Sequence, residues 1–197
     1  KDCNLKIMKL PHFPAFKKIT LANGLRVFHA YQDKPFVHVE MLVHMGAREE
    51  SVGMEGLAHF LEHMVSSNVS GYPDNLENER FFRGTGGHVN LGCTSHRNTW
   101  YGFCLPNSSN CLKKGFGLFA NMLVGAKIRE HLEKERSIIL MELWRQHKTR
   151  KLLDWNMRSL HMLLGEHRVS RADVLGTPET IDSFGYGDLQ TLYDRYY

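Results

Sequence analysis

The sequence has no long apolar run and no strong excess of charge of either sign. No stretch approaches the roughly 18 consecutive apolar residues that a membrane-spanning helix needs, and no apolar signal segment follows the first residue, Lys1. The net charge of +4 on 197 residues is small and scattered, which argues against a nucleic-acid-binding protein. The composition, with 42% hydrophobic and 23% charged residues, is typical of a soluble globular protein with a sizeable core.

Cysteines are also few, and no two of them form a C-x-x-C pair. The chain therefore lacks the usual spacing of a zinc finger or a redox motif. Four cysteines in a chain of this length do not make a disulfide scaffold, so we expect free thiols and a reducing compartment. The four are Cys3, Cys93, Cys104 and Cys111.

The hydrophobic pattern predicts an α+β fold. Asn23-Gly24 separates two strand-like runs, which is a strong hairpin signal. Apolar and polar residues alternate over 36–44, as in a half-buried strand, and two further strands are expected at 88–95 and 99–105. Strands in hairpins followed by helices indicate a mostly antiparallel sheet that helices cover. Helical spacing is found at 112–123 (with Leu112, Phe116, Phe119 and Leu123 on one face), 130–147, 153–164 and 189–196.

The most informative stretch is "EGLAHFLEHMV", residues 55–65, which places His59, Glu62 and His63 in one apolar run. In a helix, residues at i, i+3 and i+4 share a face. Two neutral imidazoles one turn apart can bind a zinc ion at about 2.0–2.1 Å. A carboxylate beside the ion can take a proton from a metal-activated water and pass it to a leaving amine. The alternative is a buried helix with two hydrogen-bonded histidines and an exposed glutamate.

A catalytic zinc site usually needs a third protein ligand. The stretch "EKERSIILMELWR" offers Glu135 and Glu142, which lie seven residues apart and therefore point the same way from a helix. One acid could bind the metal while the other orients a histidine N–H group. The alternative interpretation is a solvated helix face.

Six segments in this order resemble the landmarks of the insulinase/pitrilysin family of zinc metallopeptidases, the inverzincins with the motif H-x-x-E-H. The similarity covers about residues 17–197. It implies an α+β domain that forms one half of a clamshell, and a zinc-dependent endopeptidase that hydrolyses unfolded peptides by metal-activated water. The six segments are "TLANGLRV", "GAREES", "GLAHFLEHM", "GGHVNLGCTS", "KERSIILMEL" and "GTPETIDSF".

The resemblance also implies a role for each residue of the candidate site. His59 and His63 are expected to be zinc ligands, and Glu62 is expected to be the general base. Glu142 occupies the position of the third ligand, and Glu135 occupies the position of the supporting acid one heptad earlier.

For the substrate, the resemblance implies a peptide that adds as a strand to an exposed sheet edge. The segment 90–95 is expected to be that edge, and Asn90 matches an asparagine near the metal that we expect to contact substrate. The alternative is an ordinary internal strand. The chain departs from the family at Leu91, where alanine is usual, and in the loop "SSNVSGYP", residues 66–73. Both departures bear on substrate fit more than on metal binding.

Members of the family pair two homologous domains around the peptide. We expect residues 1–16 to be an N-terminal extension and residues 17–197 to be one such domain, truncated before its last strand. A second domain, in the same polypeptide or in a partner subunit, would then complete the site, and the chain alone would be weakly active or inactive. The alternatives are a non-catalytic subunit with a structural role, like the family's core subunits in respiratory complexes, and a module that binds peptides without cutting them.

Overall fold

A computed structural model of the protein divides the chain into two compact units, Lys1–Pro35 and Phe36–Tyr197. Each unit is described by itself. Antiparallel strands accompanied by helices confirm the expected α+β class. The residues that the structure describes are 15–67, 75–149, 151–165, 167 and 174–197.

The first unit contains the predicted hairpin. Strands β1 (Phe16–Thr20) and β2 (Arg26–Ala30) pair in antiparallel fashion. Gly24 has φ of +87°, a left-handed conformation that glycine adopts without a steric penalty. The Asn23 side-chain oxygen accepts a hydrogen bond from the Leu25 N–H group at 3.2 Å, which stabilises the same turn.

The second unit is built on a three-stranded antiparallel sheet of β3 (Phe36–Val43), β4 (His88–Thr94) and β5 (Thr99–Pro106), in the order β3-β5-β4. Exposed and half-buried residues alternate along β3, which confirms the predicted half-buried strand. Among the described residues, β4 is an edge strand. Its pairing with β5 shifts between Asn90 and Cys93, which marks a β-bulge at this edge.

The helices of this unit lie between β3 and β4 and after β5. A 3-10 helix at Ala47–Glu49 precedes the first α-helix. The α-helices among the described residues are α1 (Leu57–Ser67), α2 (Asn75–Gly84), α3 (Ser109–Val124), α4 (Leu132–Thr149), α5 (Lys151–Leu164), α6 (Pro178–Ser183) and α7 (Tyr186–Tyr196).

An aromatic cluster joins the sheet to its helices. Phe103 of β5 lies with its ring centroid 4.9 Å from that of Phe119 on α3 and 5.9 Å from that of Phe82 on α2. All three side chains are buried, as is Phe60 of α1. Each buried side chain of this size contributes about 1.5–3 kcal/mol to folding. The core of the unit therefore lies where α1, α2 and α3 meet the central strand.

The predicted apolar face of α3 is confirmed for Phe119, which is buried, and for Leu112 and Leu123, which pack half-buried against the core. The buried residues are Gly115, Leu118, Phe119 and Met122, whereas Phe116 is 49% exposed. A Cβ atom on Gly115 would lie 2.5 Å from the Cδ1 atom of Leu105 on β5. Helix α3 therefore lies closest to the sheet at Gly115. The spacing of large apolar residues does not indicate such a close approach.

Disulfides and membrane helices are absent from the described part of the chain. Cys93, Cys104 and Cys111 carry free thiols. No helix that the structure describes combines the length and the hydropathy required to cross a membrane.

Two segments distant in sequence cross at the start of α1. Gly56 and Gly176 both have positive φ values, +96° and +72°, and a Cβ atom on Gly176 would overlap the Glu55 carbonyl. The Thr180 hydroxyl donates to the same carbonyl oxygen at 2.7 Å. The segment that carries α6 therefore fixes the entry of the chain into α1.

Glu50 supports the first turn of α1. Its Oε1 atom accepts from the Ala58 N–H group at 2.7 Å, and its Oε2 atom accepts from the Gly56 N–H group at 3.1 Å. These are N–H groups that a helix start leaves without partners, and both carboxyl oxygens of Glu50 accept from them. Burial nevertheless outweighs these hydrogen bonds and raises the pKa of Glu50 to about 8. From their charges alone, Arg48, Glu49 and Glu50 are expected to form a solvated loop. That interpretation was wrong for Glu50 because the loop folds back onto the helix.

Replacing Glu50 tests this cap. We expect Glu50→Ala to lower the free energy of unfolding by about 1–2 kcal/mol, the usual effect of losing a helix cap. The neighbouring Glu49 forms an ion pair with Arg48 at 2.7 Å and does not bond α1, so Glu49→Ala should change stability by less than about 0.5 kcal/mol. Urea denaturation of both variants measures the difference, and equal losses would show that Glu50 is not a cap.

Candidate metal centre

Helix α1 carries polar side chains into the core. Most of its residues are buried, and these include His59 and Glu62, which are 6% and 7% exposed. A buried glutamate contradicts the simplest alternative, in which Glu62 lies in solvent. Burial of an imidazole and a carboxylate is unfavourable unless other polar groups compensate it. The compensating groups come from α4 and β4.

Helix α4 supplies two carboxylates, and each faces a different ring nitrogen of His63. Glu142 Oε2 lies 3.5 Å from His63 Nε2 and 3.7 Å from His59 Nε2. Glu135 Oε2 lies 3.4 Å from His63 Nδ1. The two imidazole rings are 4.7 Å apart between centroids, at an angle of 75°. Of the two glutamates, Glu142 therefore faces both histidines, while Glu135 lies behind one of them.

These separations fit a zinc ion. Ligand atoms at about 2.0–2.1 Å from a tetrahedral zinc lie roughly 3.3–3.4 Å from one another. The distances from Glu142 Oε2 to the two Nε2 atoms, 3.7 and 3.5 Å, are close to this value. Two imidazole nitrogens and one carboxylate oxygen are also a donor set that catalytic zinc uses. The residues present are thus able to hold the metal with small adjustments.

A second grouping of possible ligands includes Glu62, since ligand atoms of His59, Glu62 and His63 lie within 4.8 Å of one another. The nearest approach of the Glu62 carboxylate to His59 Nε2 is 3.9 Å, longer than either distance to Glu142. The Glu62 Oε2 atom also accepts a hydrogen bond from the Thr94 hydroxyl at 3.3 Å. The geometry therefore favours Glu142 as a ligand and leaves Glu62 beside the centre.

The charges of the centre are strongly coupled. Burial lowers the pKa of His63, but its hydrogen bonds to Glu135 and Glu142 outweigh burial and raise the pKa to about 9. The His63 hydrogen bond lowers the pKa of Glu142 to about 2. Burial raises the pKa of Glu135, but the His63 contacts outweigh it and the net shift is downward. A positive charge between the two carboxylates is thus stabilised, whether a proton or a cation carries it.

At Glu62, by contrast, burial outweighs the effects of the neighbouring groups. It raises the pKa of this carboxyl group to about 7, although the neighbouring His63 charge and the Thr94 hydrogen bond oppose the shift. A carboxyl group with a pKa near neutrality can both accept and release a proton at physiological pH. Glu62 and Glu142 both face His59, and their environments shift their pKa values in opposite directions.

Strand β4 forms one wall of an open cavity of about 620 Å³ above these residues. Asn90 lines the cavity beside the candidate centre, on the edge strand that the family resemblance implied. Cys93 is exposed in the same wall. The loop 68–73, part of a departure from the family pattern, lies outside the described residues. The lining residues are His59, Glu62, His63, Ser66, Val89, Asn90, Leu91, Gly92, Cys93, Thr94, Glu142, Gln146, Val174 and Leu175.

Three residues at the centre were not found from the sequence. Thr94 and Gly92 contact Glu62 from the bulged strand, and no local pattern signals that contact. A Cβ atom on Gly92 would overlap the Glu62 carboxylate, so a larger residue here would displace that side chain. Gln146 donates to Glu142 Oε1 at 2.9 Å. Its i+4 spacing from Glu142 was a signal that could have been used.

The chain is similar to known peptidases and to subunits of a respiratory complex. The family described as "Insulinase (Peptidase family M16)" matches residues 26–164, more than half of the chain. The probable mitochondrial-processing peptidase subunit beta of Schizosaccharomyces pombe is 30% identical over 190 residues, which is 93% of this chain and 39% of that protein. Cytochrome b-c1 complex subunit 1 of Bos taurus is 28% identical over 190 residues, which is 95% of this chain and 38% of that protein.

Solved structures agree with these relatives. The periplasmic protease PqqL from Escherichia coli superposes with a TM-score of 0.80 at 27% identity, over 95% of this chain and 21% of that chain. The first half of PqqL, solved alone, gives a TM-score of 0.76, and this chain covers 41% of it. The chain thus spans about two fifths or less of the length of these proteins.

Substitution of Gly92 tests the contact between β4 and Glu62. We expect Gly92→Ala to displace the Glu62 carboxylate from Thr94 and to lower the free energy of unfolding by about 1–3 kcal/mol, because it overpacks a buried site. Within the described part of the chain, no atom outside the backbone of α3 itself lies within 4 Å of a Cβ built on Gly117, so Gly117→Ala should stabilise the protein by about 0.5–1 kcal/mol. Denaturation and a crystal structure of each variant measure both effects. An unmoved Glu62 in Gly92→Ala would contradict the prediction.

Proposed function

The chain belongs to the insulinase family (peptidase family M16), and on this premise we propose that it is a zinc-dependent endopeptidase domain that hydrolyses unfolded peptides. One observation carries the proposal. The imidazoles of α1 and the Glu142 carboxylate of α4 converge on one point, and the Glu62 carboxylate lies beside that point. A structural role alone does not require this arrangement.

His59, His63 and Glu142 would hold the metal. His59 and His63 would bind through Nε2, the ring nitrogen of each that faces Glu142. When bound, zinc supplies Lewis-acid chemistry for the activation of water and the polarisation of a carbonyl group. Glu135 would accept the Nδ1–H of His63 and so fix the tautomer and the orientation of that ring.

Glu62 would act as the general base. Its carboxylate would take a proton from the attacking water and later deliver that proton to the nitrogen of the leaving amine. Its pKa of about 7 suits both transfers at neutral pH. The Thr94 hydroxyl and the close approach of Gly92 hold the carboxylate in position for this exchange.

The substrate would bind as an added strand on β4. An extended peptide can form main-chain hydrogen bonds along an edge strand whatever its sequence, which suits unfolded substrates. Asn90 lies in the wall of the cavity, where its amide group could hydrogen-bond such a peptide. The cavity residue Leu91, which stands where the family usually has alanine, would narrow the space for one substrate side chain.

We propose that residues 17–197 form the metallopeptidase domain, that residues 1–16 are an extension, and that a second homologous domain completes the site. The superposition on the first half of PqqL supports this arrangement. The second domain could belong to the same polypeptide or to a partner subunit, as the subunit names of the relatives suggest. Relatives are named as periplasmic or mitochondrial, so the reducing compartment expected from the free thiols stays a prediction.

A second candidate function is that of a non-catalytic subunit. It is favoured by the similarity to a subunit of the cytochrome b-c1 complex. Such a subunit does not need to keep His59, Glu62, His63 and Glu142 together. Their convergence therefore favours the peptidase.

Glu62→Gln tests the proposal. In the assembled two-domain protein loaded with zinc, we expect this variant to lose about 10²–10⁴-fold in the rate of hydrolysis of an unstructured fluorogenic peptide, because the general base is removed. Its zinc content should stay equal to that of the wild type. Glu40→Gln, on the exposed face of β3, is the matched control and should keep full activity. A zinc-loaded wild type without turnover, or a Glu62→Gln variant as fast as the wild type, would contradict the proposal.

A further inference from the structure

We propose that Gln146 is a positioning residue that makes Glu142 bind the metal through one oxygen. The inference rests on the proposed metal site. Gln146 lies one turn after Glu142 on α4, and its Nε2–H group donates to Glu142 Oε1 at 2.9 Å. Residues at i and i+4 are neighbours on a helix surface, so the backbone holds this pair together.

The two oxygens of Glu142 have different surroundings. Oε1 accepts the amide N–H of Gln146. Oε2 faces His59 Nε2 at 3.7 Å and His63 Nε2 at 3.5 Å. A bidentate carboxylate would have to turn both oxygens toward the metal, and Oε1 would then leave its donor. The amide therefore favours a monodentate carboxylate.

This orientation has a consequence for the metal. Two imidazoles and one carboxylate oxygen occupy three positions of a tetrahedral zinc and leave the fourth open for water or substrate. A second oxygen from Glu142 would raise the coordination number or occupy that position. Groups that orient a ligand in this way typically contribute 10–100-fold to metal affinity.

An ordinary surface pair would have no such effect. Gln190 and Asp194 on α7 provide a matched comparison, since Gln190 Nε2 donates to Asp194 Oδ1 at 2.7 Å with the same i, i+4 spacing. That pair is exposed and lies far along the chain from the metal centre. The Glu142 side chain, by contrast, is 24% exposed, so water competes less for its oxygens.

The experiment measures zinc affinity by competition with a chromophoric chelator, on the wild type, Gln146→Met, Gln146→Asn and Gln190→Met. Methionine keeps the length of the side chain without the donor, and asparagine keeps the amide but is too short to reach. We expect both Gln146 variants to bind zinc about tenfold or more weakly, while Gln190→Met binds as the wild type does. Circular dichroism verifies that every variant is folded.

Cobalt(II) in place of zinc provides a second readout. We expect the wild type to give the intense visible absorption of a four-coordinate ion, and the Gln146 variants to give a weaker band as Glu142 becomes bidentate. Unchanged affinity and an unchanged cobalt spectrum in both variants would overturn the role of Gln146 and leave the peptidase proposal intact. A wild type that binds neither metal would overturn both.

Discussion

The arrangement of the second unit depends on one contact, the packing of α1 against α4 through polar side chains. His59 and His63 would be costly to bury if they met only apolar neighbours. Glu142 faces both imidazoles and Glu135 faces one of them. The two helices therefore contact each other through ionisable side chains, in addition to the apolar contacts that most helix pairs use. A polar contact in a core specifies the relative position of its partners more narrowly than apolar packing does, because hydrogen bonds are directional.

The surrounding elements fix the position of α1 in that contact. Glu50 accepts hydrogen bonds from the first turn of α1, and Thr180 of α6 donates to the Glu55 carbonyl just before it, so a preceding loop and a later helix together fix where α1 begins. On the opposite side, the bulged strand β4 brings Gly92 and Thr94 against Glu62. Polar side chains that neighbouring groups already hold in position need little rearrangement during a reaction. In enzymes, such pre-organisation is a major source of catalysis by buried polar groups.

The sequence was sufficient for the features that local geometry determines. The spacing of His59 and His63 placed both imidazoles on one face of α1, and the spacing of Glu135 and Glu142 did the same on α4, because a helix has a fixed period. The choice between these two acids came from the family resemblance and not from spacing. Glu50 was misinterpreted because its partners depend on the path of a loop, which periodicity does not describe. The close approach of α3 to the sheet at Gly115 and the role of Gly92 were missed for a related reason, since both depend on contacts between elements far apart in sequence.

The measurement that tests this account most directly is the zinc content per chain, by mass spectrometry, of the wild type beside Glu142→Gln and Glu135→Gln. The account predicts about one zinc ion per wild-type chain, since the donors form a single centre. It predicts that Glu142→Gln loses most of the metal, because a ligand is removed, and that Glu135→Gln loses less, because it only orients His63. A wild type that stays empty after zinc is added, both alone and with its second domain, would contradict the account and favour a structural subunit.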